Sequence, residues 1–129
     1  MLDKGSQLVT PPALPERKIE FIGNSITCGY GVESIEMTDP FEDETENHWL
    51  TYANIVSDSL QAQHTSISRS GIGVYRNYNG PKAGSPDNMP WQYEYTLFNK
   101  HEEKWDFSKY QPQLVCINLG TNDLSTNNY

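Results

Sequence analysis

The chain has 129 residues, a formal net charge of −8 and 36% apolar residues. This length fits one small α/β domain, and the negative charge argues against a nucleic-acid-binding protein, which needs a basic surface. Because no apolar run approaches the ~18 residues of a membrane-spanning helix, a membrane protein is not expected either. The cysteine and histidine spacings do not match a zinc site, so we expect no metal or cofactor. For Cys28 and Cys116 we favour two buried free thiols over a disulfide.

Residues 1–16 are predicted to be a linker. Three prolines within five positions prevent a helix and favour an extended conformation; they are Pro11, Pro12 and Pro15. Such a segment is typical of the tail of a preceding domain, although an N-terminal arm that lies on this domain is an open alternative. The domain itself is expected to occupy residues 17–129.

Three segments have the composition of β-strands. Residues 17–23 carry three apolar side chains and end at a glycine. Residues 63–69 are polar and β-branched, which suits an edge strand, and residues 113–119 are almost continuously apolar, which is typical of a strand buried on both faces. Glu20 is an unusual residue for a buried strand, and the sequence offers no explanation for it.

Helices are predicted for residues 49–62 and 91–99. The first has one apolar stripe at helical spacing, formed by Tyr52, Ile55, Val56, Ser59 and Leu60. Asn47 is its predicted N-cap. The second helix would place Trp91, Tyr95 and Phe98 on one side. The acidic segment 32–47 and the segment 74–90 are predicted loops, and the acidic one is either a solvated surface or a lid beside an active site.

The alternation of strands and helices predicts a parallel sheet covered by helices. In such a sheet the carboxyl ends of the strands meet at one edge, where ligands of open α/β folds bind. A loop of small and amide residues follows each predicted strand: Gly23-Asn24-Ser25, Ser70-Gly71-Ile72-Gly73 and Gly120-Thr121-Asn122-Asp123. We therefore expect three loops to meet at this edge.

These loops carry complementary chemistry for acyl transfer. The Ser25 hydroxyl can attack an acyl carbon, while the backbone N–H groups of Ser25 and Gly71 and the side-chain amide of Asn122 can donate to the resulting oxyanion. Taken singly, each is as readily a turn or cap residue, but their order and their places after strands favour an esterase site. The Gly-x-Ser-x-Gly nucleophile elbow is not met, because Thr27 replaces its second glycine. No phosphate-binding glycine motif follows the first strand.

The three loops resemble the first three sequence blocks of the SGNH (GDSL-type) hydrolases. The longer segments 17–31, 73–78 and 115–123 resemble carbohydrate esterase family 2, whose members remove acetyl groups from xylan and related plant polysaccharides outside the cell. The resemblance implies a flavodoxin-like, three-layer α/β/α fold. It also implies that residues 1–16 are the segment that connects a preceding N-terminal β-sandwich domain to this one.

The same resemblance implies roles for individual residues. Ser25 corresponds to the nucleophile, and Ser25, Gly71 and Asn122 correspond to the oxyanion hole. Asn24 stands where the family usually has Asp, a position that does not accept the serine proton, so we expect a mild effect. The implied partner is an acetylated polysaccharide or oligosaccharide. Candidate substrate-binding residues are Tyr75, Arg76 and Trp91.

The family carries its catalytic histidine in a fourth motif near the C-terminus, and no histidine follows Asn122. His48, His64 and His101 are more typical of surface or capping positions. Without a base, a serine hydroxyl is a poor nucleophile. We therefore expect the chain to be the N-terminal part of a catalytic domain, truncated after its third strand, with little esterase activity of its own.

Two alternatives remain open. One is a catalytically inactive SGNH-like module that binds polysaccharide through aromatic side chains, although such side chains are more often part of a core; the candidates are Tyr75, Tyr78, Trp91 and Trp105. The other is a non-functional fragment.

Overall fold

The computed structural model describes residues 4–125. Residues 1–3 of the predicted linker and residues 126–129 of the predicted domain lie outside the described residues. In chain order the elements are β1 (Arg17–Gly23), α1 (Ser25–Cys28), 3₁₀ helices at Asp43–Thr45 and His48–Leu50, α2 (Tyr52–Ser59), β2 (Ala62–Ser68), α3 (Met89–Gln92), β3 (Tyr95–Leu97), β4 (Lys100–Lys104) and β5 (Leu114–Asn118). The segments between them, including most of the acidic stretch 32–47, are loops, as predicted.

Three strands form a parallel sheet in the order β2-β1-β5. Phe21 in the central strand pairs with Ser66 on one side and Cys116 on the other. The order confirms the parallel α/β sheet, and the polar strand β2 lies at one edge of the described sheet, as expected. Strands β3 and β4 form a separate antiparallel hairpin.

The core lies on both faces of β1, because successive side chains of a strand point to opposite faces. One buried cluster packs α2 against β1 and β2; it consists of Ile19, Phe21, Ala53 and Ala62. The second lies on the other face, under the loop after β2 and helix α3; it consists of Ile22, Ile72 and Met89. Strand β1 is therefore the element that holds the two layers together.

The predicted helix 49–62 is shorter than expected, and of its predicted stripe only Tyr52 packs against the buried cluster of β1 and β2, whereas Ile55, Val56, Ser59 and Leu60 are exposed. Helix α2 buries its small residues against the sheet; these are Ala53, Asn54 and Ser57. Ile55 and Val56 are exposed instead. Small side chains let the helix approach the strands closely, and the spacing of apolar residues in the sequence does not indicate this kind of packing. Asn47 caps the preceding 3₁₀ helix, accepting the Trp49 N–H at 3.0 Å, rather than α2 itself.

The predicted helix 91–99 is also wrong. Helix α3 begins earlier, where Asn88 caps it and Pro90 occupies its first turn, and the chain then continues into the β3–β4 hairpin. Trp91 packs its ring against Tyr95 and His101, with ring centroids 5.2 and 4.1 Å apart. The spacing of aromatic residues therefore reflects contacts between a short helix and a hairpin, and the charged stretch 100–104 is an exposed strand.

Strand β5 confirms the predicted element at 113–119, but it is not buried on both faces. Its apolar side chains are largely exposed within the described part of the chain, with Leu114 at 48%, Val115 at 44% and Ile117 at 68%. Only β1 pairs with it among the described strands. Both cysteines are free thiols, as favoured from the sequence, but they are half-buried rather than buried.

Candidate active site

Ser25 lies on a tight turn that leaves the central strand of the sheet. Asn24 is buried and caps α1, because its side-chain oxygen accepts the Ile26 N–H at 3.1 Å. A Cβ at position 23 would lie 1.9 Å from Thr27 Oγ1, so only glycine fits where the strand meets the helix. The turn places Ser25, half-buried, at the first position of α1 and at the carboxyl end of β1. The Asn24 amide performs the capping role that a carboxylate could also perform.

Asn122 joins the loop after β5 to the loop after β2. Its buried side chain donates one N–H to the Ile72 carbonyl at 2.8 Å, directly beside Gly71. An amide has two N–H donors, and this contact uses one of them. Because β1 lies between β2 and β5, Ser25 emerges between these two loops. The sheet therefore brings the three predicted residues to one edge.

Asp123 organises the segment that follows Gly73, a role that the sequence did not reveal. Its carboxylate accepts the N–H groups of Val74, Tyr75 and Arg76 at 3.0, 2.7 and 3.0 Å. Burial alone would raise the pKa of Asp123, but these backbone N–H groups outweigh that effect and hold the pKa below its usual range. The only sequence signal was its place directly after Asn122.

Gly73 makes this contact sterically feasible. A Cβ at this position would lie 1.9 Å from the Arg76 carbonyl oxygen and 2.7 Å from Asp123 Oδ2. The backbone of the 73–76 turn therefore leaves no room for a side chain.

The predicted substrate-binding residues fall into different environments. Tyr75 and Tyr78 are exposed, and Tyr75 lies on the turn that Asp123 holds. Trp91 is half-buried in its contacts with the hairpin. Arg76 is buried and donates to the Ser125 carbonyl, so the structure corrects its expected role: its guanidinium ties two loops together rather than facing a ligand.

The three histidines lie elsewhere, and none accepts a hydrogen bond from Ser25 within residues 4–125. His48 Nδ1 donates to the Thr27 carbonyl at 2.8 Å, and its Nε2 lies 3.1 Å from His64 Nε2. Burial and the neighbouring His48 lower the pKa of His64. The prediction of surface or capping positions is right for the exposed His101, but His48 and His64 form a half-buried pair.

A family model described as GDSL-like Lipase/Acylhydrolase matches residues 19–129. The chain belongs to this family. Its membership confirms the predicted resemblance to the SGNH hydrolases, which was carried by the three loops around Ser25, Gly71 and Asn122.

Named relatives of this GDSL-like hydrolase are esterases. The chain is 49% identical over 125 residues to cellulase/esterase CelE of Acetivibrio thermocellus, covering 96% of this chain and 15% of that protein. It is 40% identical over 121 residues to an acetylxylan esterase / glucomannan deacetylase of Cellvibrio japonicus, covering 90% of this chain and 32% of that protein.

Solved structures support the same grouping. A family two carbohydrate esterase from Clostridium thermocellum in complex with cellohexaose superposes with a TM-score of 0.84 at 45% identity, covering 93% of this chain and 36% of that one. The fold and the similarity to carbohydrate esterase family 2 are thereby confirmed. The chain spans about 15 to 36% of the length of these relatives.

Two further observations concern residues 4–125 as a whole. None of their helices is both long and apolar enough to cross a membrane. No three His, Cys, Asp or Glu side chains in this range are grouped so that they could hold a metal ion.

Proposed function

We propose that this chain provides the nucleophile and the oxyanion hole of an esterase that removes acetyl groups from plant cell-wall polysaccharide. The observation that carries the proposal is the Asn122–Ile72 hydrogen bond, which joins two of the three loops on either side of the strand that carries Ser25. Family membership supports the reaction class, and the names of the relatives support the substrate class.

In the proposed reaction the Ser25 hydroxyl attacks the acetyl carbonyl carbon. A new bond forms between Oγ and that carbon, and the serine proton passes to a general base. The negative charge that develops on the carbonyl oxygen is stabilised by the N–H groups of Ser25 and Gly71 and by the Asn122 amide. The bond from carbon to the sugar oxygen then breaks, the sugar hydroxyl leaves with a proton, and water releases acetate from Ser25.

We infer that none of the three histidines is the general base, because each makes other contacts. His48 is bound to Thr27 and His64, and His101 lies on the hairpin. We propose that the base comes from residues other than these 129. We also propose that residues 1–16 link a preceding β-sandwich to the hydrolase domain and that the protein acts outside the cell, which rests on resemblance to the family.

The test is acetate release from acetylated xylan by the natural gene product that contains this chain. Ser25→Ala should lower kcat/KM by about 10³-fold or more, because nucleophile and base act as a unit. Asn122→Ala should lower kcat by about 10²–10³-fold with little change in KM. Ser59→Ala is the matched control, because Ser59 is exposed on α2 and its hydroxyl donates to the Ile55 carbonyl of the same helix. Full activity of the Ser25→Ala protein would contradict the proposal.

The 129-residue chain alone should release little acetate from a model ester such as p-nitrophenyl acetate. If it does turn over, and Ser25→Ala abolishes the turnover, the base lies within these residues and that part of the proposal is wrong.

A second candidate is a polysaccharide-binding module without hydrolysis. The observation that favours it is the exposure of two rings on one segment: Tyr78 donates its backbone N–H to the Gly71 carbonyl, and Asp123 holds the backbone of Tyr75. Retention on insoluble xylan that is lost in Tyr75→Ala, with no acetate release by the natural gene product, would favour this candidate.

A further inference from the structure

A cavity lies on one face of the sheet, and Ser25 is not among the residues that line it. It has a volume of about 180 Å³ and lies between β1 and β2 on one side and the β3–β4 hairpin on the other. One water occupies ~30 Å³ in the liquid, so the space fits about six water-sized groups. Thr96 on its wall is exposed, which gives a ligand a route from the hairpin side.

The floor of this cavity is Glu20, the residue that the sequence left unexplained. It is 4% exposed, and its Oε1 accepts the Tyr93 hydroxyl at 2.7 Å. Among residues 4–125 no lysine, arginine or histidine lies within 4 Å of its oxygen atoms. Buried carboxylates are costly unless a positive group or several donors compensate for the lost water.

The tyrosine partner stays a donor across the physiological pH range. Burial and the hydrogen bond to the Glu20 carboxylate raise the pKa of Tyr93 to about 12. The neutral Tyr93 hydroxyl contacts one oxygen of the carboxylate, and no ion pair joins Glu20 to another residue in the range 4–125.

The remaining walls are aromatic. Tyr93, Tyr95, Trp105 and Tyr110 line the cavity around Glu20. The Lys18 ammonium group lies 5.6 Å from the Tyr110 ring centroid, so one ring of this wall already packs against a cation of the chain itself. Aromatic faces combined with a carboxylate are the chemistry that recognises substituted ammonium groups.

We propose that this cavity is a binding site for a small organic cation with a quaternary or substituted ammonium group. Glu20 supplies the charge, and the rings of Tyr95 and Trp105 supply the apolar, electron-rich walls. The site lies apart from the esterase residues and does not depend on the proposed function.

The experiment is isothermal titration of the 129-residue chain with choline and with its neutral isostere 3,3-dimethyl-1-butanol, at matched ionic strength. Choline should bind at least about tenfold more tightly, since a desolvated cation over aromatic rings gains roughly 2 kcal/mol. Glu20→Gln keeps the shape and an acceptor for Tyr93, and should weaken choline binding at least about tenfold. Glu103→Gln, an exposed position on β4, is the control and should leave the affinity unchanged.

Thermal unfolding accompanies each titration. If Glu20→Gln does not fold, Tyr95→Leu replaces it, because this change leaves the Glu20–Tyr93 contact intact and should weaken choline binding severalfold while leaving the affinity for the neutral isostere within twofold. Equal affinity for the two compounds would overturn the proposal, as would undetectable choline binding at millimolar concentrations or unchanged affinity in both variants.

Discussion

The turn that carries Ser25 and the turn that carries Tyr75 are stabilised in different ways. In the first, the hydrogen bonds of Asn24 and Ile26 join residues at most four positions apart, and Thr27 adds two longer contacts, to His48 and Tyr52. In the second, Asp123 and Asn122 reach across 47 to 50 positions to hold residues 72–76. The proposed nucleophile therefore lies on a turn whose cap is local, whereas the loop proposed to complete its oxyanion hole is held by long-range contacts.

The largest expected effect is on the long-range turn, from Gly73→Ala. The added Cβ would meet the Arg76 carbonyl oxygen, which is backbone and cannot rotate away. We expect the free energy of unfolding to fall by about 3 kcal/mol, measured by urea denaturation. Gly5→Ala is the control for backbone strain without a clash, because its φ is +96° and no atom lies within 4 Å of the added Cβ. A loss below 1 kcal/mol would show that the turn can open without cost to the fold.

Asp123→Asn should have the next largest effect, with a loss of about 1.5 kcal/mol, because hydrogen bonds to a charged acceptor are stronger than neutral ones. The lowered pKa of Asp123 means that its stabilisation is present above the usual carboxylate pKa of 3.8 and is lost as the pH falls below it. The variant should therefore lose less stability than the parent on acidification in this range.

Asp39→Asn is the matched local control for this prediction. Asp39 also accepts backbone N–H groups, but from Ile35 and Glu36 within its own exposed loop. Its replacement should change the free energy of unfolding by less than about 0.5 kcal/mol. Equal losses in the two variants would remove the distinction between local and long-range turns.

The smallest effect should come from the histidine pair beneath α1. The pKa of His64 is lowered by burial and by His48, with a smaller opposite effect of Asp58. The unfolded chain therefore takes up a proton before the folded one, and stability should fall as the pH drops below the usual value of 6.5. His64→Gln should flatten the pH dependence of Tm between neutral and mildly acidic pH, whereas His101→Gln should not.

The difference between the two turns also explains what could be predicted from the sequence. Gly23, Asn24 and Ser25 follow an apolar strand directly, so both the turn and the candidate nucleophile were predictable from adjacent residues. The parallel direction of β1, β2 and β5 follows from the alternation of strands and helices. The role of Asp123 was not predictable, because it depends on how two distant loops meet.

Other failures have the same physical origin. Helix α2 buries Ala53 and Ser57, so the spacing of its larger apolar residues predicted the wrong buried face. The aromatic residues at 91 and 95 contact each other across a helix–hairpin junction rather than along a helix. Glu20 looked misplaced in a strand, and only the structure shows the aromatic cavity that it faces.

The exposed strand β5 has a practical consequence for anyone who prepares this chain. Among the strands of residues 4–125, β5 pairs with β1 alone, and the free row of backbone N–H and C=O groups on an apolar strand is a template on which a second copy can add its own strand. Apparent molecular mass should therefore rise with concentration in light scattering. A lysine in place of Ile117, the most exposed of its apolar residues, should keep the chain monomeric at concentrations where the parent associates.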